Sequence, residues 1–316
     1  MLKQRINWVD NFKGFLIILV VLGHVIQYSC DLYDYSHLYN YIYSFHMPAF
    51  MALSGYVSYK SNNEFVMNVE GIKRRAMHLL IPYLVWTIFY CLLSDSSLWK
   101  SLFVSPVYWF LLILFIINNL MVLSQSISYK LNCRIELMCL VITIILFAFQ
   151  LFLKPKVLSL NILHVHYFFY VLGWILHKNE KKLLYDNMFI PLGILFAILG
   201  FYYTRFMTPS FMYFIPLSIY FLMSGSIGTL FFILLFRKIA NKKIPLLSNT
   251  GRKTLGIYVI HIIFCVCFSD YFYFLVAKLG FFVGILIIFI FNYIISFYAT
   301  LYIEKFKYIK LIVGGK

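Results

Sequence analysis

Long apolar stretches recur from one end of this chain to the other, and they constrain its fold more than any other feature. Each is about 17–23 residues long, enough for a helix to cross a hydrocarbon core of about 30 Å. Hydrophobic residues make up 63% of the 316 residues and charged residues 12%, more apolar surface than a soluble domain of this size can bury. We therefore predict an all-α, polytopic membrane protein with a single integral-membrane domain over residues 1–316. About ten transmembrane helices are expected, at residues 12–28, 41–59, 76–93, 107–125, 135–153, 160–177, 188–204, 212–236, 255–275 and 281–303.

The basic residues are distributed unevenly around these stretches. The chain has 27 Lys and Arg against 11 Asp and Glu, a formal net charge of +16. With a cytoplasmic N-terminus and ten spans, the outer segments hold few of them: Lys100, Lys154, Lys156, Arg205 and Lys278. This asymmetry follows the positive-inside rule, so both termini are expected on the cytoplasmic side of the inner (plasma) membrane. Membrane lipid with anionic headgroups accounts for the excess charge, and no nucleic-acid partner is expected.

A seam of polar residues runs along the first apolar stretch. Lys13 and His24 are eleven positions apart, which brings a helix back to nearly the same face about 16 Å further along its axis. Asp10 and Tyr28 project onto the same stripe. A charged side chain within a bilayer costs about 2.5–3.5 kcal/mol even on the lenient scale, so the seam predicts a functional site.

The second predicted span carries another histidine, His46, a few residues from its outer end. Antiparallel packing of the first two spans would place His24 and His46 at similar depth. The alternative is that each imidazole simply bonds a backbone carbonyl or a tyrosine. Ser54 and Gly55 follow in the same span and favour close helix approach.

Two further clusters are predicted on the inner side. Arg75 and His78, three residues apart on one helical face, suit the phosphates of a ligand, with Arg74 beside them; the alternative is a positive-inside anchor. Tyr258 and His261 share a face of the ninth predicted helix, and their alternative is a helix cap with a core histidine.

The remaining polar features give weaker evidence for a functional site. The basic connection at 237–254 carries turn and cap residues before the ninth predicted helix. Cys265 and Cys267 are two apart and face different directions on a helix, so no metal site is expected. His164 and His166 are weaker candidates for a site than the clusters above.

Taken together, these motifs resemble the acyltransferase 3 family of bacterial membrane proteins, particularly its short fucose 4-O-acetylase-like members without a fused extracellular domain. The basic residue, ten-residue gap and histidine of the first span are a hallmark of that family. The resemblance rests on these segments, in chain order: Ile6–Phe15 running into Val20–His24, Phe45–Pro48 with Ser54–Tyr56, Arg75 with Leu79–Tyr83, and Thr254–Tyr258 with His261. One departure is His78, where the family often has a second arginine.

The resemblance implies an O-acyltransferase with no bound cofactor. The donor substrate would be a cytoplasmic acyl-CoA, most often acetyl-CoA, and the acceptor a hydroxyl of a cell-surface or lipid-linked sugar. His24 would be the base or a transient acyl carrier. The candidate residues are, for catalysis, His24, Asp10, Lys13 and His46; for the donor, Arg74, Arg75 and His78; and for the acceptor, Tyr258 and His261.

Two other classes stay open from the residues alone. A transporter or flippase for a glycan precursor could use intramembrane histidines to relay protons or bind a sugar. A non-catalytic subunit of a glycan assembly complex is the third. The ordered series of motifs and the lack of a visible inverted repeat favour the enzyme.

Overall fold

The computed structural model describes residues 6–31, 36–59, 69–206, 217–239 and 244–315. Within these ranges the protein is helical and has no strand. The helices are α1 (Asn7–Ser29), α2 (His37–Tyr43), α3 (His46–Ser58), α4 (Val69–Ser94), α5 (Trp109–Lys130), α6 (Ile135–Leu153), α7 (Leu163–Lys178), α8 (Glu180–Leu183), α9 (Phe189–Phe206), α10 (Leu217–Lys238), α11 (Pro245–Arg252), α12 (Thr254–Cys267), α13 (Ser269–Leu279) and α14 (Phe281–Ile303). Short 3-10 or π segments lie at Lys100–Val104, Leu160–Ile162, Asp186–Met188 and Lys310–Val313.

Six helices of the described chain are long and apolar enough to cross a membrane: α1, α4, α5, α6, residues 219–238 of α10, and α14. A seventh span results if α11 and α12, which are bent by 82° relative to each other, count as one. The all-helical membrane architecture is therefore confirmed. The number of about ten spans and the cytoplasmic position of both termini stay predictions.

Breaks in the backbone explain why several predicted spans do not pass as single long helices. The stretch at 41–59 is divided between α2 and α3, with turn residues at 44 and 45. The break places Pro48 in the first turn of α3. Backbone N–H groups of a first turn make no intrahelical hydrogen bond, so the lack of an N–H in proline costs nothing there. The stretch at 255–275 is likewise divided between α12 and α13, and 160–177 holds the 16-residue α7.

The connection predicted at 237–254 contains a helix of its own. Pro245 occupies the start of α11, a position that its fixed φ favours. The residues expected to supply turn and cap chemistry in this connection, Pro245 and Ser248–Gly251, instead lie inside α11, so that expectation is wrong. Residues 240–243, with Lys242 and Lys243, fall outside the described residues, as does the side chain of Arg205.

The chain divides into two compact units, one formed by residues 1–50 and 181–303 and the other by 51–180 and 304–316. Helix α1 is the centre of the first unit, where it packs against α2 and α10–α14. Phe12, Leu16 and Val20 follow its buried face. Two polar residues of α1 have partners on these neighbouring helices, Asp10 on α11 and His24 on α12.

Two glycines allow α1 and α11 to touch through their backbones. A Cβ atom at Gly14 would lie 2.0 Å from the carbonyl oxygen of Leu247, and one at Gly251 would lie 1.8 Å from the carbonyl oxygen of Asp10. Both distances are far below van der Waals contact. Any larger residue at either position would push α11 away from α1.

Helix α14 closes the first unit with a buried polar stripe. Asn292, Ser296 and Thr300 are fully buried and bond along their own helix, Ser296 Oγ donating to Asn292 Oδ1 at 3.1 Å. Asn292 Nδ2 also donates to the carbonyl of His261 at 3.2 Å. The stripe therefore connects α14 to α12.

In the second unit, α3 and α7 pack closely through small residues. A Cβ atom at Gly55 would lie 1.9 Å from the carbonyl oxygen of Tyr170, and one at Gly173 would lie 1.7 Å from that of Ala52. The predicted packing role of Gly55 is thus confirmed. By contrast, Cys139 is the one buried residue of α6, as expected for a helix that faces lipid.

Candidate active site

The polar seam of α1 carries His24 toward its C-terminal end, where the side chain is partly buried. Its Nδ1 atom lies 3.0 Å from Oε1 of Gln27, one turn further along the helix. The hydroxyl of Tyr43 donates to the same Oε1 at 3.5 Å. A side-chain amide oxygen therefore holds one nitrogen of the His24 ring, and Nε2 is the other position available for chemistry.

His261 of α12 packs against His24. The centroids of the two rings are 5.2 Å apart with 44° between their planes. His261 is fully buried, and its Nδ1 lies 2.9 Å from the carbonyl oxygen of Ile257. Because a carbonyl only accepts, Nδ1 carries the proton and Nε2 carries a lone pair. That Nε2 is buried without a hydrogen-bond partner, a costly arrangement unless a ligand supplies a donor.

His46, at the start of α3, joins the same cluster. It is 2% exposed, and its Nδ1 lies 2.7 Å from the carbonyl oxygen of Ile42. The ring of Tyr43 meets it edge-on, with 4.7 Å between the ring centroids, and the hydroxyl of Tyr43 bonds the oxygen of Gln27 that also lies against His24. The carbonyl bond that the alternative for His46 expects is therefore present, and His261 has the core position that its alternative expects. Both imidazoles use Nδ1 for the carbonyl.

Tyr258 completes this group from one turn before His261. Its ring centroid is 6.0 Å from that of His261, and the side chain is 8% exposed. The structure therefore brings together four residues predicted from the sequence: His24, His46, Tyr258 and His261. The prediction that Tyr258 and His261 form a separate cluster on the inner side is wrong, because α12 packs against α1 and places His261 beside His24.

Asp10 and Lys13 lie toward the other end of α1. The helix is continuous over Asn7–Ser29, so the axial separation of Lys13 from His24 is about 16 Å, and the two do not touch. The carboxylate of Asp10 instead pairs with Nε of Arg252 on α11 at 3.4 Å. Both charged residues of the seam are partly buried.

The second unit holds the residues predicted to bind the donor. Nε and Nη2 of Arg75 both donate to Oδ1 of Asn119, at 3.1 and 2.9 Å. Nδ2 of Asn119 donates to its own helix at Phe115, which orients the amide oxygen toward Arg75. His78 is partly buried, whereas Arg74 is exposed.

A second amide extends this group. Tyr170 donates its hydroxyl proton to Oδ1 of Asn118 at 2.8 Å. Nδ2 of Asn118 bonds the carbonyl of Leu114 on its own helix. We call Arg75, Asn118, Asn119 and Tyr170 the arginine cluster.

Several of these residues were not predicted. Gln27 lies one turn from His24 on the polar seam, and the three-residue spacing could have revealed it. The Asn118–Asn119 pair interrupts an apolar span and is a similar signal. Nothing in the local sequence indicates Tyr43 or Arg252, because each reaches the site from a distant helix. Among the described residues no group of three or more His, Cys, Asp or Glu is placed to hold a metal ion.

Comparison with known proteins supplies the family. A profile of the acyltransferase domain matches residues 6–301. The chain is similar to Nodulation protein NolL of Mesorhizobium japonicum, 39% identical over 124 residues that cover 34% of this chain and 32% of that protein. It is also similar to Nodulation protein NolL of Sinorhizobium fredii, 40% identical over 94 residues that cover 28% and 24%. The matches thus span a third or less of either relative's length.

No solved structure matches the chain at a significant level. The family match, in contrast, takes in α1, which carries His24, and α12, which carries His261, as well as both units of the fold. On this ground the chain, a helical membrane protein, belongs to the acyltransferase 3 family.

Proposed function

We propose that this protein is a membrane-bound O-acyltransferase of the inner membrane. It moves an acyl group, by preference acetyl, from cytoplasmic acyl-CoA to a hydroxyl of a cell-surface or lipid-linked sugar. The observation that carries the proposal is the pairing of His24 with His261, whose buried Nε2 has no hydrogen-bond partner. A site lined by imidazole lone pairs is complementary to a ligand that brings O–H donors, as a sugar does.

In this mechanism His24 is the general base. Its Nε2 takes the proton of the acceptor hydroxyl while the oxygen attacks the thioester carbonyl. The new C–O ester bond forms, the C–S bond breaks, and the imidazolium returns its proton to the departing CoA thiolate. His261 accepts a hydrogen bond from the sugar through Nε2, and Tyr258 lies beside it to bind the same ligand.

The donor would be held by the arginine cluster. The guanidinium of Arg75 uses Nε and Nη2 on Asn119, so its remaining N–H groups are available for a phosphate. Lys13, at the end of α1 that is predicted to be cytoplasmic, is the further candidate to meet the thioester arm. His46 lies against the ring of Tyr43, whose hydroxyl bonds the same oxygen of Gln27 as His24 does.

The test is acyl transfer by the purified protein in liposomes. Radiolabelled acetyl-CoA is given with a panel of acceptors that includes methyl fucopyranoside, other methyl glycosides and lipid-linked sugars. The expected product carries label as a base-labile ester. Movement of an acceptor across the bilayer without acylation would instead identify a transporter. If no acceptor in the panel is acylated or moved, the proposal is contradicted.

A second experiment addresses the role of His24. An acyl-histidine intermediate would accumulate when the enzyme meets labelled acetyl-CoA without acceptor, and rapid quenching would trap it. The general-base mechanism predicts no labelled enzyme under those conditions. A stable label on the parent enzyme that is absent from the His24→Ala variant would show that His24 carries the acyl group covalently and does not act as a general base.

A further inference from the structure

We propose that Gln27 is a positioning residue that sets the tautomer of His24, and that Tyr43 supports it. The inference rests on the proposed function, because it concerns the atom of His24 that takes the hydroxyl proton. Oε1 of Gln27 lies 3.0 Å from Nδ1 of His24, and an amide oxygen has no proton to donate. The ring therefore carries its proton on Nδ1 and keeps the lone pair on Nε2.

His24 differs in this respect from the two imidazoles beside it. Nδ1 of His46 and Nδ1 of His261 each face a backbone carbonyl one turn earlier on the chain, at Ile42 and Ile257. Their tautomers follow from the backbone and survive any change of neighbouring side chain. The tautomer of His24 depends instead on a side chain, so a single substitution can change it.

Tyr43 reaches this amide because α1 has a glycine beside His24. A Cβ atom at Gly23 would lie 2.8 Å from Cε2 of Tyr43, so the phenol ring occupies the space that a side chain would fill. Its hydroxyl donates to Oε1 of Gln27 at 3.5 Å. The long distance makes this a weaker bond than the one to His24, and its role is to keep the oxygen of the amide turned inward.

Loss of the Gln27 oxygen should lower the rate of the chemical step without changing substrate binding. With the proton on Nε2, the imidazole has no lone pair at the position that meets the hydroxyl, so only the correctly protonated fraction of the enzyme reacts. Partners that orient metal-ligating histidines contribute about 10–100-fold, and a wrong tautomer of the histidine in a catalytic triad lowers kcat by about 10⁴-fold.

The experiment compares Gln27→Met and Gln27→Glu in the liposome assay. Methionine keeps the length of the side chain and removes the oxygen, so kcat should fall at least about tenfold while KM for acetyl-CoA and acceptor stays unchanged. An ionised glutamate accepts hydrogen bonds and does not donate them, so Gln27→Glu should retain most of the activity. Tyr43→Phe should give a smaller loss than Gln27→Met. Gln150→Met, which removes a glutamine from α6, is the matched control and should behave as the parent protein.

Two outcomes would overturn the inference: wild-type kcat in Gln27→Met, or a Gln27→Glu variant as impaired as Gln27→Met. The second would mean that the amide donates its N–H to Nδ1. Size-exclusion profiles identify any variant that fails to fold, and a misfolded Gln27→Met is replaced by Gln27→Leu.

Nitrogen NMR of histidine-labelled protein in lipid nanodiscs reads the tautomer without any acyl transfer. The His24 signal is assigned by difference with His24→Gln. The Nδ1–H form is expected in the parent protein and a mixture of tautomers in Gln27→Met. If the parent protein shows the Nδ1–H form but acylates no acceptor, the proposed function is contradicted and the positioning role of Gln27 stands. If the parent protein and Gln27→Met give identical spectra, the positioning role alone is contradicted.

Discussion

His24 and His261 come from opposite ends of the chain, yet their rings lie 5.2 Å apart. The contact forms because α12 packs against α1 and Asn292 of α14 bonds the backbone carbonyl of His261. Two imidazoles at this distance with their Nδ1 protons already engaged offer two Nε2 acceptors to one ligand. The predictions below test this pair first and then the contacts that support it.

Replacing either histidine of the pair should impair acyl transfer. His24→Ala removes the base and should lower kcat by about 10²–10⁴-fold. His261→Ala removes an acceptor of the sugar's hydrogen bond and should act mainly on the acceptor KM. The matched control is His37→Ala, since His37 is exposed at the start of α2 and should be neutral. Wild-type turnover in His24→Ala would remove His24 from the mechanism.

The backbone contact between α1 and α11 should make Gly251 intolerant of any side chain. In Gly251→Ala the new Cβ would meet the carbonyl oxygen of Asp10 at 1.8 Å, and overpacking of this kind typically costs about 1–3 kcal/mol. Thermal unfolding in detergent should show a lowered Tm. Leu246→Ala, at a position of α11 that is 63% exposed, should leave the Tm nearly unchanged. Equal Tm values for the two variants would mean that α11 is not tightly packed.

The ion pair of Asp10 with Arg252 should be structural. The side chains are 14% and 33% exposed, so solvent screens the pair and its coupling energy should be no more than about 1 kcal/mol. Asp10→Asn should therefore lower the Tm slightly and preserve kcat. A double-mutant cycle with Arg252→Gln measures the coupling. A large loss of kcat in Asp10→Asn, with an unchanged Tm, would contradict a purely structural role and support the catalytic role that the sequence predicts for Asp10.

Arg75 should govern the affinity for the donor. A charge-assisted hydrogen bond contributes about 1.5–3 kcal/mol, so Arg75→Ala should raise the KM for acetyl-CoA at least about tenfold with little change in kcat. Asn119→Ala should act in the same direction, because the guanidinium loses the oxygen that orients it. Lys130→Ala is the control, since Lys130 is an exposed basic residue in the last turn of α5 and is not a donor candidate.

Dephospho-CoA thioesters show which phosphate Arg75 binds. If Arg75 contacts the phosphate of the ribose, the variant and the parent should have the same KM for the dephospho donor. If the pyrophosphate is bound, the variant stays impaired with both donors. An unchanged KM for every donor would leave Arg75 as a basic anchor of α4.

The helices themselves could largely be predicted from the sequence. The bounds expected for α6 and α14 agree with the structure at 135–153 and 281–303, because long apolar runs form helices in lipid whatever surrounds them. The breaks between α2 and α3 and between α12 and α13 could not be read in this way. Each break interrupts the helix within a continuous apolar run, so a hydropathy pattern does not reveal it.

The sequence alone determined that this is a helical membrane protein, that α1 carries a polar seam, and that His24 lies on it. These properties depend on residues a few positions apart, so composition and helical spacing suffice to derive them. Tertiary structure decided which polar groups meet. His24 of α1 pairs with His261 of α12, and Asp10 of α1 pairs with Arg252 of α11. Those partnerships depend on where helices from distant parts of the chain cross. The crossings are set by close backbone contacts such as those of Gly14 and Gly251, which no local pattern encodes.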